Sequence, residues 1–268
     1  MESKRLFVVK ASGIKAPYSE SKLRHSLRRA GADAATVADV LTKIQAQVTP
    51  GMHTRHIRRM ALSLLKRKSR SFAGRYNLKQ AIMELGPSGF PFEKYVAEIF
   101  RFRGYSVSVD QFIRGICVTH EVDVVAEKDG RRLMIECKYH NNSGLSCDVK
   151  IPLYIHSRFL DLDFDEGWVA TNTRFTSDAV KYGMCVGLKM LAWDFPAGHG
   201  LKDWIDQGGL YPITALSRLS RNEKHRVLAQ GFVLCKDLMI HPEALNRARI
   251  PREQHSLILN ECEQTCRL

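Results

Sequence analysis

Residues 119–138 read THEVDVVAEKDGRRLMIECK, and this stretch decides the fold. Two runs of alternating apolar and polar residues flank Asp129-Gly130. Asp-Gly suits the two-residue hairpin turn in which both central positions need a positive φ. With those two residues as the turn, Asp123 lies opposite Glu136 and Glu121 opposite Lys138. Side chains alternate along a strand, so the four charged groups share one face. The other face carries Val122, Val124 and Ala126 against Cys137, Ile135 and Leu133, and is expected to be the core side.

Directly opposed Cβ atoms sit about 4.5–5.5 Å apart, so two carboxylates placed there repel each other. A divalent cation relieves the repulsion, and oxygen ligands suit Mg²⁺ or Mn²⁺. A lysine two residues beyond the second carboxylate can orient or deprotonate a water, or stabilise developing negative charge. Asp…Glu-x-Lys on a strand pair is thus the minimum equipment for metal-assisted phosphodiester hydrolysis. The plainer alternative is a solvated strand face, with Glu121 and Lys138 as a surface ion pair worth less than about 1 kcal/mol.

Around the hairpin, periodicity predicts a helix over 92–102, a strand over 105–109, a helix over 149–160 and a strand over 167–170. A helix over 176–182 and a strand over 188–193 follow. The expected class is α/β (α+β), a mixed sheet flanked by helices. Upstream lie a short hairpin near residues 5–18 and helices over 22–30, 34–48, 54–68 and 72–85. Downstream of Leu201 only short helices are expected.

The chain has 268 residues, with 41 Lys+Arg against 28 Asp+Glu, a net charge of +13. Residues 1–90 hold 18 Lys+Arg and 5 Asp+Glu, so the whole surplus lies there; residues 91–268 hold 23 of each. Such asymmetry points to modules with different partners, at least one of them anionic. Gly86-Pro87-Ser88-Gly89 punctuates the chain where the charge changes. The expected domains are 1–86, 87–200 and 201–268. No apolar run reaches the roughly 18 residues of a membrane helix, so no membrane partner is expected. Seven irregularly spaced cysteines fit a reducing, cytoplasmic setting. Cys235, His241, Cys262 and Cys266 could assemble a zinc site, but free buried thiols are the ordinary reading.

Residues 88–195 resemble the PD-(D/E)xK nuclease superfamily, specifically the Mrr-type restriction endonuclease domain. The likeness rests on Phe92-Glu93…Val96-Ala97…Gly104-Tyr105, Glu121-Val122-Asp123-Val124, Glu136-Cys137-Lys138 and Thr171-Asn172-Thr173…Phe175-Thr176…Ala179. It implies DNA cleavage with one or two Mg²⁺ ions. Asp123 and Glu136 would be the metal ligands, Lys138 the catalytic lysine and Glu93 an assisting acid of the entry helix. Glu93 also reads as a solvated acid favoured by the helix dipole.

The first 85 residues resemble the ATP-cone domain, a regulatory nucleotide-binding module, through Val9-Lys10-x-x-Gly13, Lys22-Leu23, His53-Thr54…Ile57 and Ala73…Tyr76…Ala81. Two lysines and a hydroxyl near a helix start suit a triphosphate. The resemblance implies ATP or dATP as effector, with Lys10 and Lys22 on phosphate and Thr54 beside the nucleotide. No Gly-x-x-x-x-Gly-Lys-Ser/Thr loop occurs, so a P-loop engine is not expected. The tail is faintly similar to helix-hairpin-helix modules.

Together these readings describe a metal-dependent deoxyribonuclease under nucleotide control. A double-strand cut needs two active sites, so a homo-oligomer is expected. The alternative is a nucleotide-responsive DNA-binding regulator on an inactive nuclease-like fold. RNA as the target stays open.

Overall fold

The computed structural model describes residues 6–10 and 13–267. Asp129 and Gly130 take φ values of 52° and 75°, so the turn forms where the sequence places it. It joins β4 (Thr119–Lys128) to β5 (Arg131–Lys138), paired from Lys128↔Arg131 to Val124↔Ile135. The sheet has the order β3-β4-β5-β6-β7, with β3 Ser106–Arg114, β6 Glu166–Thr171 and β7 Lys189–Leu191. The first three strands are antiparallel neighbours, whereas β5, β6 and β7 run parallel. Parallel strands need crossover connections; here these are helices on one face, while the helix preceding β3 covers the other. β5 is accordingly buried from Leu133 to Cys137.

One face packs against α6 (Phe90–Phe102) through Val124, Ala126, Leu133 and Ile135. The other packs against α7 (Lys150–Asp161) through Met134, Ile155 and Val169; α8 (Ser177–Cys185) follows α7 on the way to β7. Val122 departs from the expected alternation. It joins Met134 and Ile155 rather than Val124 and Ala126. The ladder explains this. Between the pairs Val109↔Val124 and Gln111↔Val122, Asp110 takes a φ of 55°. Beyond Val124↔Ile135, the Cys137 N–H donates to the Asp123 carboxylate at 2.7 Å. The alternation resets across Asp123.

The N-terminal segment pairs β1 (Phe7–Val9) with β2 (Lys15–Pro17) and packs them against α1 (Glu20–Arg29), α2 (Ala34–Gln45) and α3 (Thr54–Lys68). Its core includes Leu27, Val40, Ile44, Ile57 and Leu65. Ser19 caps α1 by accepting from the Lys22 N–H. The helix expected over 72–85 is two helices, α4 (Arg70–Tyr76) and α5 (Leu78–Met83), broken at Asn77. The Asn77 side chain accepts from Arg58 at 2.8 Å, and α5 turns its Leu78 and Ile82 into the core that also holds α6.

The tail contains α9 (Leu201–Gly208), α10 (Arg221–Leu228), α11 (Cys235–Ile240), α12 (Glu243–Arg247) and α13 (Arg252–Cys266). With 15 residues, α13 exceeds the expectation of short helices only. Its polar composition hides its stripe, which buries Ile258, Glu261, Cys262 and Thr265. Leu210, Val233, Leu238 and Ile258 join the same core as α6. Arg75 on α4 donates to the carbonyls of Thr265, Gln264 and Arg267. No helix among the described residues is long and apolar enough to cross a membrane.

Candidate active site

Glu136 sits in the middle of β5 with 3% of its surface exposed. A carboxylate so placed needs charged partners. It has two. Lys138 Nζ lies 2.5 Å from Oε1 and Arg158 Nη1 lies 2.5 Å from Oε2. Arg158 reaches down from α7 and also donates to the Glu121 carbonyl. Sequence reading did not single out Arg158. The available signal was its position: with Pro152 and Ile155 it completes the buried stripe of an otherwise amphipathic helix.

Asp123 on β4 stands beside Glu136. Burial and the Glu136 charge push its carboxyl up to about 6, although the Cys137 N–H, Lys138 and Arg158 pull the other way. Glu93, in the first turn of α6, joins this group. Burial, then Asp123, Asp110, Glu136 and Glu121, push it up to about 7. So Glu93 senses the carboxylates of β3, β4 and β5 and is no isolated solvated helix acid. Burial alone would lower Lys138, but Glu136 and Asp123 outweigh it and raise its pKa, so the amine stays an ammonium. It pairs with Glu136, and the Glu121–Lys138 surface pair does not form among the described residues.

The donor chemistry fits a hard divalent cation. Carboxylates that hold protons to relieve mutual repulsion are what a 2+ charge would discharge. Among the described residues no three His, Cys, Asp or Glu side chains converge as a ready cage. Asp123 and Glu136 would therefore supply two oxygens and leave the remaining positions to water, as Mg²⁺ prefers.

The Thr171-Asn172-Thr173 stretch is fully buried and pins the strand beyond Lys138. Thr171 Oγ1 donates to the Lys138 carbonyl at 2.7 Å. Asn172 brackets the His140 backbone, accepting its N–H at 2.8 Å and donating to its carbonyl at 2.7 Å. Tyr139 Oη donates to the Met83 carbonyl at 2.6 Å and accepts the Gly86 N–H at 2.8 Å. The end of β5 is thus tied to the end of α5.

Lys10, Lys22 and Thr54 line one cavity of about 620 Å³ in the N-terminal segment, together with Tyr18, Arg58 and Tyr76. The Tyr18 hydroxyl is buried there with no hydrogen-bond partner among the described residues. All seven cysteines are free thiols; Cys235 and Cys262 are buried.

A fold and a site of this kind define a restriction endonuclease-like catalytic domain. Residues 86–196 match the Mrr-type restriction endonuclease family, and residues 211–266 match the family described as AF1548-like, C-terminal. An uncharacterised protein of Archaeoglobus fulgidus is 37% identical over 147 residues, which cover 54% of this chain and 83% of that protein. The crystal structure of AF1548, a protein of unknown function, superposes with a TM-score of 0.58 at 32% identity, over 67% of this chain and 98% of that one. The chain belongs to the AF1548-like family.

Proposed function

We propose that this protein is a Mg²⁺-dependent DNA endonuclease whose activity responds to ATP or dATP bound in the N-terminal cavity. The observation that carries the nuclease reading is the buried Glu136, paired with Lys138 and flanked by two carboxyls pushed to about 6 and about 7. When bound, Mg²⁺ or Mn²⁺ supplies Lewis-acid charge and lowers the pKa of water. The chain's own residues do the rest. Asp123 and Glu136 present oxygens held in place by the Cys137 N–H and by Arg158. The Lys138 ammonium offers a donor to the phosphoryl oxygens as negative charge builds. Glu93 carries a proton near neutral pH at its carboxyl and is suited to pass it to the leaving oxygen.

One observation favours the regulator reading: both Glu136 oxygens already face cations. A carboxylate has about four lone-pair sites, so a further cation can still share them. Calorimetric Mg²⁺ titration separates the readings. The nuclease reading predicts a site that Asp123→Asn abolishes. No Mg²⁺ site in the wild type, with DNA binding that still shifts with ATP, would establish the regulator.

The nucleotide reading is supported by three cations, the hydroxyls of Ser19, Ser26, Thr54 and Tyr76, and a Tyr18 hydroxyl without a partner among the described residues, all around one cavity of small-molecule size. A route for its effect is also present. Arg58 on the cavity wall donates to Asn77, α5 follows, and its end holds Tyr139, the neighbour of Lys138. ATP titration of wild type and Lys22→Ala tests this reading; equal affinity in both would remove it.

A further inference from the structure

A cavity of about 440 Å³ opens where α5, the segment after β5, and α10 meet. α10 turns Arg221, Lys224 and His225 toward it, the i, i+3, i+4 positions of one helix face. Gln80, Asn141 and Thr214 contribute neutral polar groups to the wall, and Glu84 contributes one carboxylate. Lys224 is the telling residue. Its side chain is only 14% exposed, and it forms a long ion pair of 3.9 Å with Glu84, a carboxylate of the same wall. Its hydrogen bond among the described residues goes to the Thr214 carbonyl at 2.7 Å. An ammonium has three donors, so two remain for the cavity. Burial outweighs the Glu84 and Glu261 charges and lowers its pKa, so a bound anion would complete the compensation of this cation.

Tyr139 and Asn141 form part of the same wall and follow Lys138 directly in the chain. Three residues of extended backbone span roughly 10 Å, so the cavity adjoins the site without belonging to it. We propose that this cavity is a phosphate subsite of the AF1548-like C-terminal segment, taking a backbone phosphodiester of the nucleic-acid strand beside the one being cut. This rests on the nuclease reading and names how that site holds its substrate. Arg221, Lys224 and His225 carry no information about base sequence, so the subsite contributes affinity and register rather than specificity.

Fluorescence anisotropy of a labelled duplex against the full chain in EDTA, where no metal-dependent cutting occurs, tests the subsite by itself. Lys224→Gln and Arg221→Gln are each expected to weaken binding about fivefold to tenfold and to lower the salt slope by about one. Lys224→Arg is expected to retain most of the affinity. Arg221 is exposed, so its substitution keeps the test valid even if Lys224→Gln disturbs folding. Unchanged affinity and salt slope in Arg221→Gln and in a folded Lys224→Gln would overturn the proposal. Inorganic phosphate and dAMP serve as competitors. If they bind through Lys224 without displacing DNA, the cavity takes a free nucleotide and the substrate assignment is overturned. Because the readout is binding without metal, failure of the subsite differs from failure of the nuclease reading, which shows only in cleavage.

Discussion

Glu136 lies between two cations in an apolar setting, and removing either leaves charge uncompensated. Arg158→Met is expected to destabilise the protein by about 3 kcal/mol, because Lys138 remains as one partner of the buried carboxylate. Urea denaturation measures it; a loss below about 1 kcal/mol would mean that Arg158 does not neutralise Glu136. The acids beside it set a pH dependence. Asp123 and Glu93 titrate at about 6 and about 7 in the fold, above the usual carboxyl value near 4. The folded protein therefore keeps protons that the unfolded chain has released. Metal-free stability contributed by these groups is present at low pH and is lost as pH rises through about 4 to about 7. The same protons compete with the cation, so Mg²⁺ affinity is expected to rise from about pH 5 to about pH 7 and then flatten. Calorimetry across that range checks it, and pH-independent affinity would contradict it. The turn and its register as far as Val124↔Ile135 were legible from Asp129-Gly130, whereas the expected Asp123↔Glu136 and Glu121↔Lys138 pairs lie beyond the ladder that forms. Arg158 was not legible, since its partner is 22 residues away and only the crossover brings them together.

At the scale of elements, the strands of the hairpin and the helices around them follow from local periodicity, whereas breaks in that periodicity do not. Apolar spacing runs through Asn77 uninterrupted, so α4 and α5 read as one helix. What separates them is tertiary, the Arg58–Asn77 hydrogen bond and the burial of Leu78 and Ile82 beneath α6. The swap of Val122 to the α7 side is likewise set by the Asp110 backbone and the Asp123 carboxylate, not by the alternation of β4. The position of α5 has a consequence for control. Tyr139→Phe removes both the bond to the Met83 carbonyl and the one from the Gly86 N–H. It is expected to cost about 1–2 kcal/mol of stability and to weaken the effect of ATP on cleavage while leaving ATP affinity unchanged. Cleavage rates with and without ATP, beside an ATP titration, check this. An undiminished ATP response would show that the signal does not pass through α5.

Across the whole molecule, charge and core divide the chain differently. The +13 surplus belongs to residues 1–90, much of it on exposed faces of α3 such as Arg55, Arg59 and Arg67. The core does not stop there: Leu78, Ile82 and Leu85 pack with α6, the sheet and the tail. Charge counting along the sequence found the first division, but the second depends on long-range packing that composition does not encode. Cutting the chain at residue 86 would therefore strip side chains from the core around the sheet as well as remove positive charge, so the function is better tested in the full chain. The most direct measurement is nicking of supercoiled plasmid by wild type and Lys138→Ala at matched folding, with and without Mg²⁺. Cleavage by the wild type is expected only when Mg²⁺ is present, with a loss of about a hundredfold or more in Lys138→Ala. Equal cleavage by both proteins, or cleavage indifferent to Mg²⁺, would contradict the nuclease reading.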